Sequence, residues 1–217
     1  TSAPGLSIAY AYDEVGNRET MTDAIGVTSY TYDDLYRLTH VVAPTGTLSY
    51  QYDLNDNRTQ LTNPDSEVVT YSYDLANRLE TVTDWDDRVT SYTYDEADRQ
   101  TAMAYPNGVL ASYDYDDAGR LLSSRHWSPI SGTIAVFTYT LDSVGNRLSM
   151  VDLEGTTSYD YDDLHRLTGV TYPDGEALTY SYDPVGNRTA MTSTVSGVVA
   201  YTYDAGDRLL TAGSLTF

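Results

Sequence analysis

The chain has 217 residues, enough for one large or two small domains, and carries 12 basic against 32 acidic residues, a net charge of −20. That balance excludes the basic surface that nucleic-acid phosphates require, and equally excludes adhesion to anionic membranes. Cysteine is absent, so disulfides and thiol chemistry drop out, and no apolar run is long enough to insert into a membrane as a helix.

The hydrophobic fraction of 41% suffices for a core, but 22 Tyr stand against 2 Phe and 2 Trp, so most aromatic area comes with a hydroxyl. Tyr favours strands and half-wet surfaces. All 12 basic residues are Arg, whose planar fork pairs with carboxylates and stacks on rings, which points to fixed contacts. Solubility accounts for the acidity. A calcium cofactor is the sharper reading, because 25 of the 32 acids are Asp, but neither an EF-hand loop nor a glycine-rich nonapeptide is present.

Along the chain, Thr1–Tyr10 lacks the basic and then apolar start of an export signal, so any such signal lies upstream. From Tyr10 onward a Tyr-x-Tyr-Asp…Arg unit repeats ten times. It runs Tyr10, Tyr12, Asp13 and Arg18; then Tyr30, Tyr32, Asp33 and Arg37; then Tyr50, Tyr52, Asp53 and Arg58. Tyr71, Tyr73, Asp74 and Arg78 follow, then Tyr92, Tyr94, Asp95 and Arg99, and Tyr113, Tyr115, Asp116 and Arg120. The seventh copy, Tyr139, Asp142 and Arg147, replaces its second Tyr with Leu141. The series closes with Tyr159, Tyr161, Asp162 and Arg166; Tyr180, Tyr182, Asp183 and Arg188; and Tyr201, Tyr203, Asp204 and Arg208. Successive Asp lie 20 or 21 residues apart, except for one interval of 26.

In four copies Arg is the fifth residue after the Asp and follows Asn; in six it is the fourth. The eighth residue is apolar in all copies but one: Met21, Val41, Leu61, Val82, Met103, Ser124, Met150, Val170, Met191 and Ala212. The backbone therefore keeps its phase, as a sheet requires, and only the identity of two adjacent positions changes. Segments such as Val69-Thr70-Tyr71-Ser72-Tyr73 alternate with period two and predict a strand with both Tyr on one face. The Asp opens a polar turn in which Gly-Asn pairs such as Gly16-Asn17 supply positive φ. A second strand runs to the eighth position and a second turn follows, as at Pro64-Asp65, Pro106-Asn107-Gly108 and Pro173-Asp174-Gly175.

The fold class is all-β: tandem hairpins forming a continuous antiparallel sheet of roughly 20 strands, which at ~4.8 Å per strand must wrap into a curved or spiralling wall. The organisation is one array over 1–217, with an insertion near 125–133 centred on His126 to Gly132. This reads as a lengthened hairpin loop after a distorted repeat at Ser124; a contact site around Trp127 is the functional alternative. The motif Asp is expected to cap its turn, and the half-buried Arg to pair with an Asp and lie on Tyr rings.

Strings such as Tyr30-Thr31-Tyr32-Asp33-Asp34-Leu35-Tyr36-Arg37-Leu38 and Tyr180-Ser181-Tyr182-Asp183-Pro184-Val185-Gly186-Asn187-Arg188 resemble the YD repeat, also called the RHS (rearrangement hotspot) repeat, over essentially the whole chain. The resemblance implies a hollow shell built from a spiralling β-ribbon, enclosing a toxic domain in bacterial polymorphic and insecticidal toxins or serving adhesion in the related teneurins. It also implies a secreted or cell-surface location, with other YD repeats of the same or a neighbouring chain and an enclosed toxin domain as partners. No conserved segment after the repeats, self-cleaving aspartyl site or toxin domain is recognisable, and the array looks cut from a longer one.

No catalytic, cofactor or metal site is expected, and no enzyme. His40, His126 and His165 occupy unrelated motif positions and read as bystanders, with His126 in a loop and His165 in a turn. Abundant Asp makes chance carboxylate pairs inevitable. The sequons at Asn57 and Asn187 follow from the motif itself, and Trp85 sits at a turn where it could stack on a sugar. Three functions are in play: a shell segment enclosing cargo, a self-assembling filament or adhesive surface, and a carbohydrate-binding module.

Overall fold

The computed structural model describes residues 7–216; the start of the Thr1–Tyr10 segment and Phe217 lie outside the described residues. The chain divides into two compact units, Thr1–Gly108 and Val109–Phe217. The first holds β1 (Ala9–Tyr12), β2 (Arg18–Thr22), β3 (Val27–Tyr32), β4 (Leu38–Ala43), β5 (Gly46–Tyr52), β6 (Arg58–Thr62), β7 (Val68–Tyr73), β8 (Leu79–Thr83), β9 (Val89–Tyr94) and β10 (Gln100–Ala104). The second holds β11 (Leu110–Tyr115), β12 (Leu121–Ser128), β13 (Gly132–Leu141), β14 (Arg147–Val151), β15 (Thr156–Tyr161), β16 (Leu167–Thr171), β17 (Ala177–Tyr182), β18 (Arg188–Ser193), β19 (Gly197–Tyr203), β20 (Leu209–Ala212) and β21 (Leu215–Thr216). Within each unit every strand pairs antiparallel with its chain neighbours, an up-and-down meander of tandem hairpins. No helix among the described residues is long and apolar enough to cross a membrane, which says nothing of strands.

One register recurs. In the first hairpin Tyr10 faces Met21, Ala11 faces Thr20 and Tyr12 faces Arg18, so Glu19 is an extra residue. The same bulge falls at the sixth residue after the Asp in all ten motif hairpins. A bulge of this kind shifts the pleat by one. It places the fifth and the eighth residue after each Asp on the Tyr face together. The periodic apolar position thus packs against the first Tyr, as in Val41 with Tyr30, Leu61 with Tyr50 and Val170 with Tyr159. The opposite face is paved with small hydroxyls, such as Thr70 facing Thr83 and Thr179 facing Thr192. Several bond across strands, among them Ser72 with Thr81 at 2.7 Å and Thr202 with Thr211 at 2.7 Å.

The sheet is a single layer in each unit. Among the described residues Ala111 and Val170 are the buried apolar side chains, and no large side chain is fully enclosed. Stability must therefore come from lateral contact between neighbours, as in a quasi-one-dimensional array. The second Tyr of the motif makes the most regular of these contacts, seen in six copies. Its hydroxyl donates to the carbonyl five residues past the preceding motif Asp: Tyr32 to Arg18, Tyr52 to Leu38, Tyr73 to Arg58, Tyr94 to Leu79, Tyr182 to Leu167 and Tyr203 to Arg188, at 2.7–3.1 Å. Tyr182→Phe removes one such bond and leaves the Leu167 carbonyl unanswered. The expected loss is about 0.5–1.5 kcal/mol, a fall in Tm of about 2–4 °C per kcal/mol for a chain of this length, read by thermal unfolding.

The insertion departs from expectation. It does not lengthen a loop: β12 and β13 run 8 and 10 residues, with only Pro129, Ile130 and Ser131 between them. Ser124 itself is buried in normal register between Tyr113 and Phe137; the distortion lies further along, where Ile134 is an extra residue of β13 between the pairs His126–Ala135 and Trp127–Thr133. His126, expected in a loop, sits in β12 facing Ala111 and Ala135. A strand pairing with both flanking strands satisfies its backbone, which an equally long loop would leave to solvent.

At the edge away from the motif turns, glycines meet prolines of the next repeat. A Cβ on Gly26 would lie 2.8 Å from Pro44 Cγ, and one on Gly155 would lie 2.8 Å from Pro173 Cβ; Gly46 stands against Pro64 in the same way. These glycines have φ of 144°, 138° and 135°, where L-residues are strained.

Candidate functional site: the motif-turn edge

Each motif Asp closes a three-residue hairpin loop. In the second repeat the Asp33 N–H donates to the Arg37 carbonyl and the Tyr36 N–H to the Asp33 carbonyl. The third residue after each Asp has positive φ in all ten turns: Gly16, Tyr36, Asp56, Asn77, Asp98, Gly119, Gly145, His165, Gly186 and Asp207. This is the turn-plus-bulge loop of hairpins, which suits the sheet twist. The Asp side chain completes it. Asp33 Oδ1 accepts the N–H groups of Leu35 and Arg37, each at 2.9 Å, and Asp162 Oδ1 accepts those of Leu164 and Arg166 at 3.0 and 2.9 Å.

The remaining oxygen explains the two motif variants. Oδ2 takes a donor from the fourth residue, which is either Arg or Asn. Arg37, Arg78, Arg99, Arg120, Arg166 and Arg208 donate Nε at 2.6–2.8 Å, whereas Asn17, Asn57, Asn146 and Asn187 donate Nδ2 at 2.8–3.1 Å. Within the Gly-Asn and Asp-Asn pairs the positive φ falls on the first residue, Gly16 or Asp56, and Asn is the carboxylate's donor. In the Asn copies Arg moves to the fifth position, on the Tyr face. There Arg18 lies 4.1 Å from the Tyr30 ring centre, Arg58 4.6 Å from Tyr71, Arg147 4.2 Å from Tyr139 and Arg188 4.3 Å from Tyr201. In the other variant the fourth-position Arg can stack on the second Tyr of the next repeat, as Arg37 does on Tyr52, Arg78 on Tyr94 and Arg166 on Tyr182 at 4.7–4.8 Å.

The fourth-position side chains also tie one turn to the next. Nη1 of Arg37, Arg78, Arg120 and Arg166 donates to the backbone carbonyls of Asp53, Asp95, Asp142 and Asp183. Arg37 and Arg78 further pair with Asp56 and Asp98 at 2.8 and 2.7 Å. Where Asn stands instead, Asn57, Asn146 and Asn187 reach Asn77, His165 and Asp207. His165 thus occupies a turn, as expected, and acts as a link. His40, on the hydroxyl face, meets Thr31 through Nδ1 at 3.2 Å.

Burial follows position. Fourth-position Arg side chains are 22–35% exposed in Arg37, Arg78, Arg99, Arg120 and Arg166 but 84% in Arg208, near the array's end. Among fifth-position Arg, Arg18, Arg58 and Arg147 are exposed and Arg188 half-buried, so half-burial belongs mainly to one variant. The motif carboxyls are all held below their ordinary pKa. For Asp53 the leading cause is the Asn57 amide, for Asp74 and Asp162 the backbone N–H of Arg78 and Arg166, and for Asp204 the Arg208 guanidinium. At Asp33 partial burial pushes upward, but the N–H and guanidinium of Arg37 outweigh it. Arg166→Lys keeps the charge but loses the fork that reaches Asp162, the Asp183 carbonyl and the Tyr182 ring together. It is expected to lower Tm clearly more than Arg125→Lys, at an exposed position outside the motif; equal melting temperatures would contradict the assigned role.

The cap also occurs outside the motif, at Asn63, whose Oδ1 accepts the N–H groups of Asp65 and Glu67, and more fully at Asp84. Asp84 and Arg88, on the opposite edge, reproduce the cap: Oδ1 accepts Asp86 and Arg88 N–H at 3.0 Å, Oδ2 accepts Arg88 Nε at 2.8 Å, and Asp87 has φ of 58°. The Asp-x-x-x-Arg spacing was legible there, but no Tyr pair precedes it. Trp85, at its tip, is 49% exposed.

These features define a class of protein: a tandem β-hairpin array, capped by Asp at each motif turn and laced from repeat to repeat through Tyr hydroxyls and Arg or Asn. The RHS Repeat family matches residues 12–48, 37–68, 52–89, 86–110, 142–177, 161–196 and 182–214, more than half of the sequence, and the chain belongs to that family. The unmatched stretch between residues 110 and 142 is the one with the long hairpin. Comparison with curated proteins finds no match. Among solved structures, the crystal structure of TcdB2-TccC3-TEV is similar at a TM-score of 0.75 and 17% identity, over 97% of this chain and 14% of that one. A Photorhabdus luminescens Tc holotoxin pore is similar at a TM-score of 0.65 and 15% identity, over 96% of this chain and 16% of that one. At these identities the likeness is one of fold, and this chain spans about a sixth or less of the proteins it resembles.

Proposed function

We propose that this chain is a length of the wall of a hollow β-shell in a secreted or cell-surface RHS protein, and that the shell encloses a toxin or other cargo. The carrying observation is the exposure of aliphatic side chains along the motif-turn edge. Val15, Leu35, Leu54 and Leu75 in the first unit, and Val144, Leu164 and Val185 in the second, are 62–110% exposed. Aliphatics placed repeatedly at solvent-facing turn tips mark a surface that another element covers. A ribbon that winds past itself supplies such a cover at every turn. On this reading the chain is not an enzyme and uses no cofactor; its chemistry is spent on cohesion between repeats. Electron cryomicroscopy of the protein as its gene encodes it tests the proposal. The expected image has this edge in contact with another stretch of ribbon around a lumen that holds further density. An isolated stalk with solvent on both edges would overturn it.

The same edge supports a second reading, in which it meets separate copies and builds a filament or adhesive surface. Negative-stain images over a concentration series distinguish the two, since ordered polymers appear only in the second.

A further inference from the structure

The long hairpin leaves a strand edge that the rest of the array does not use. β13 pairs with β14 only from Thr138, which faces Val151, onward to Leu141. Its earlier part, from Gly132 to Phe137, pairs with β12 on one side, with one bulge at Ile134, and runs in regular register from Ala135 to Phe137. β14 stops at Val151 and turns back through Asp152 and Gly155 into β15. Among the described residues, no strand pairs with the other side of Gly132 to Phe137.

A groove follows that edge. Ile134, Val136 and Phe137 form its strand wall and the tip of the β14–β15 turn its floor. Through Glu154 it continues into a second groove over the next turn, beside Tyr172 and Leu178. Four carboxylates line the combined channel, Asp152, Glu154, Asp174 and Glu176, and no basic residue does. The nearest cation in register is Arg125 of β12, which faces Val136. The apolar part is open to solvent, with Ile134 48% and Leu153 63% exposed.

We infer that this edge is a docking site for an extended peptide segment of mixed basic and apolar composition, which adds to β13 as a strand alongside Gly132 to Phe137. An unpaired antiparallel edge offers a row of N–H and C=O groups, and main-chain pairing supplies affinity while pockets beside it supply selectivity. About six residues span the open stretch, roughly 20 Å at the rise of a strand. The charge decides the occupant. A second copy of this chain would bring another −20 to an acidic channel, whereas alternating Arg and apolar side chains meet both the carboxylates and the exposed aliphatics. The inference does not depend on the shell reading, because it concerns one hairpin rather than the array.

The test uses the full chain and a fluorescein-labelled, end-blocked heptapeptide of alternating Arg and Val, followed by anisotropy. Its partner probe is the same peptide N-methylated on alternate residues along one edge, which keeps the charge and removes strand pairing. The expected result is saturable binding that weakens with salt, is at least tenfold weaker for the N-methylated peptide, and is at least tenfold weaker for Glu154→Arg. Hydrogen exchange on the complex should show new protection within Gly132 to Phe137. Equal binding of the two peptides would reduce the effect to bulk charge and overturn the inference. So would protection confined to the terminal strands β1 or β21, or no binding at all.

Discussion

Gly46→Ala is expected to cost about 2–6 kcal/mol, the sum of a backbone conformation that L-residues avoid and a methyl forced into a packed neighbour, each worth roughly 1–3 kcal/mol. Gly46 has φ of 135°, and its absent Cβ would fall inside contact distance of the Pro64 ring. Neither element yields easily: proline has no rotamer to give, and Gly46 is held in register opposite Ala43. Gly16 is the internal control. Its φ is 95° but nothing lies within 4 Å of the position a Cβ would take, so Gly16→Ala meets the strain without the clash. Denaturant unfolding of both variants should show Gly46→Ala much the more destabilised. Similar losses would mean that the Gly–Pro contact between repeats contributes nothing.

Acid is expected to unfold the array over a narrow range. The ten motif carboxyls, and that of Asp84, are held below their ordinary value of 3.8 in the folded state. For a depressed carboxyl the folded state binds fewer protons than the unfolded state near that value. Its contribution to stability is therefore complete above the ordinary pKa and is lost as pH falls through the lower, folded pKa. The same turn recurs along the array, so the losses coincide. Neutralisation of the other acids relieves self-repulsion on the way down and offsets part of the effect. Tm should change little from pH 7 to about 5 and drop steeply below about 4. Asp162→Asn, which keeps an oxygen acceptor but no charge, should flatten the drop while lowering Tm at pH 7. A Tm that holds to pH 2 would contradict the assignment of these carboxyls to the turns.

Much of this was readable in advance because period and phase are one-dimensional facts. The Tyr strands, the Asp turns and the eighth apolar position follow from alternation and spacing, and a structure with neighbour-only contacts preserves them. What the sequence concealed depends on geometry across repeats. The bulge at the sixth residue is invisible in Glu19 or Thr39, since no residue type marks it. The change of identity at two adjacent positions was legible, but its purpose was not: it is a choice between two donors for one Asp oxygen, with the fifth side chain turned onto the Tyr face by the bulge. The Gly26–Pro44, Gly46–Pro64 and Gly155–Pro173 contacts join residues 18 apart, and neither partner alone signals the other. The insertion was misjudged for a simpler reason: Pro129 and Gly132 mark a turn, but Trp127 and Ile134 beside them are strand formers.

Each repeat is held by its neighbours through the motif, and native-state hydrogen exchange tests this most directly. Protection is predicted to be lowest in β1 and β2 and in β20 and β21, and to rise inward within each unit. Tyr182→Phe should weaken protection in β16 and β17 while leaving β13 and β14 as they were. Uniform protection that is lost in a single step along the whole chain, and is unaffected locally by Tyr182→Phe, would contradict the account.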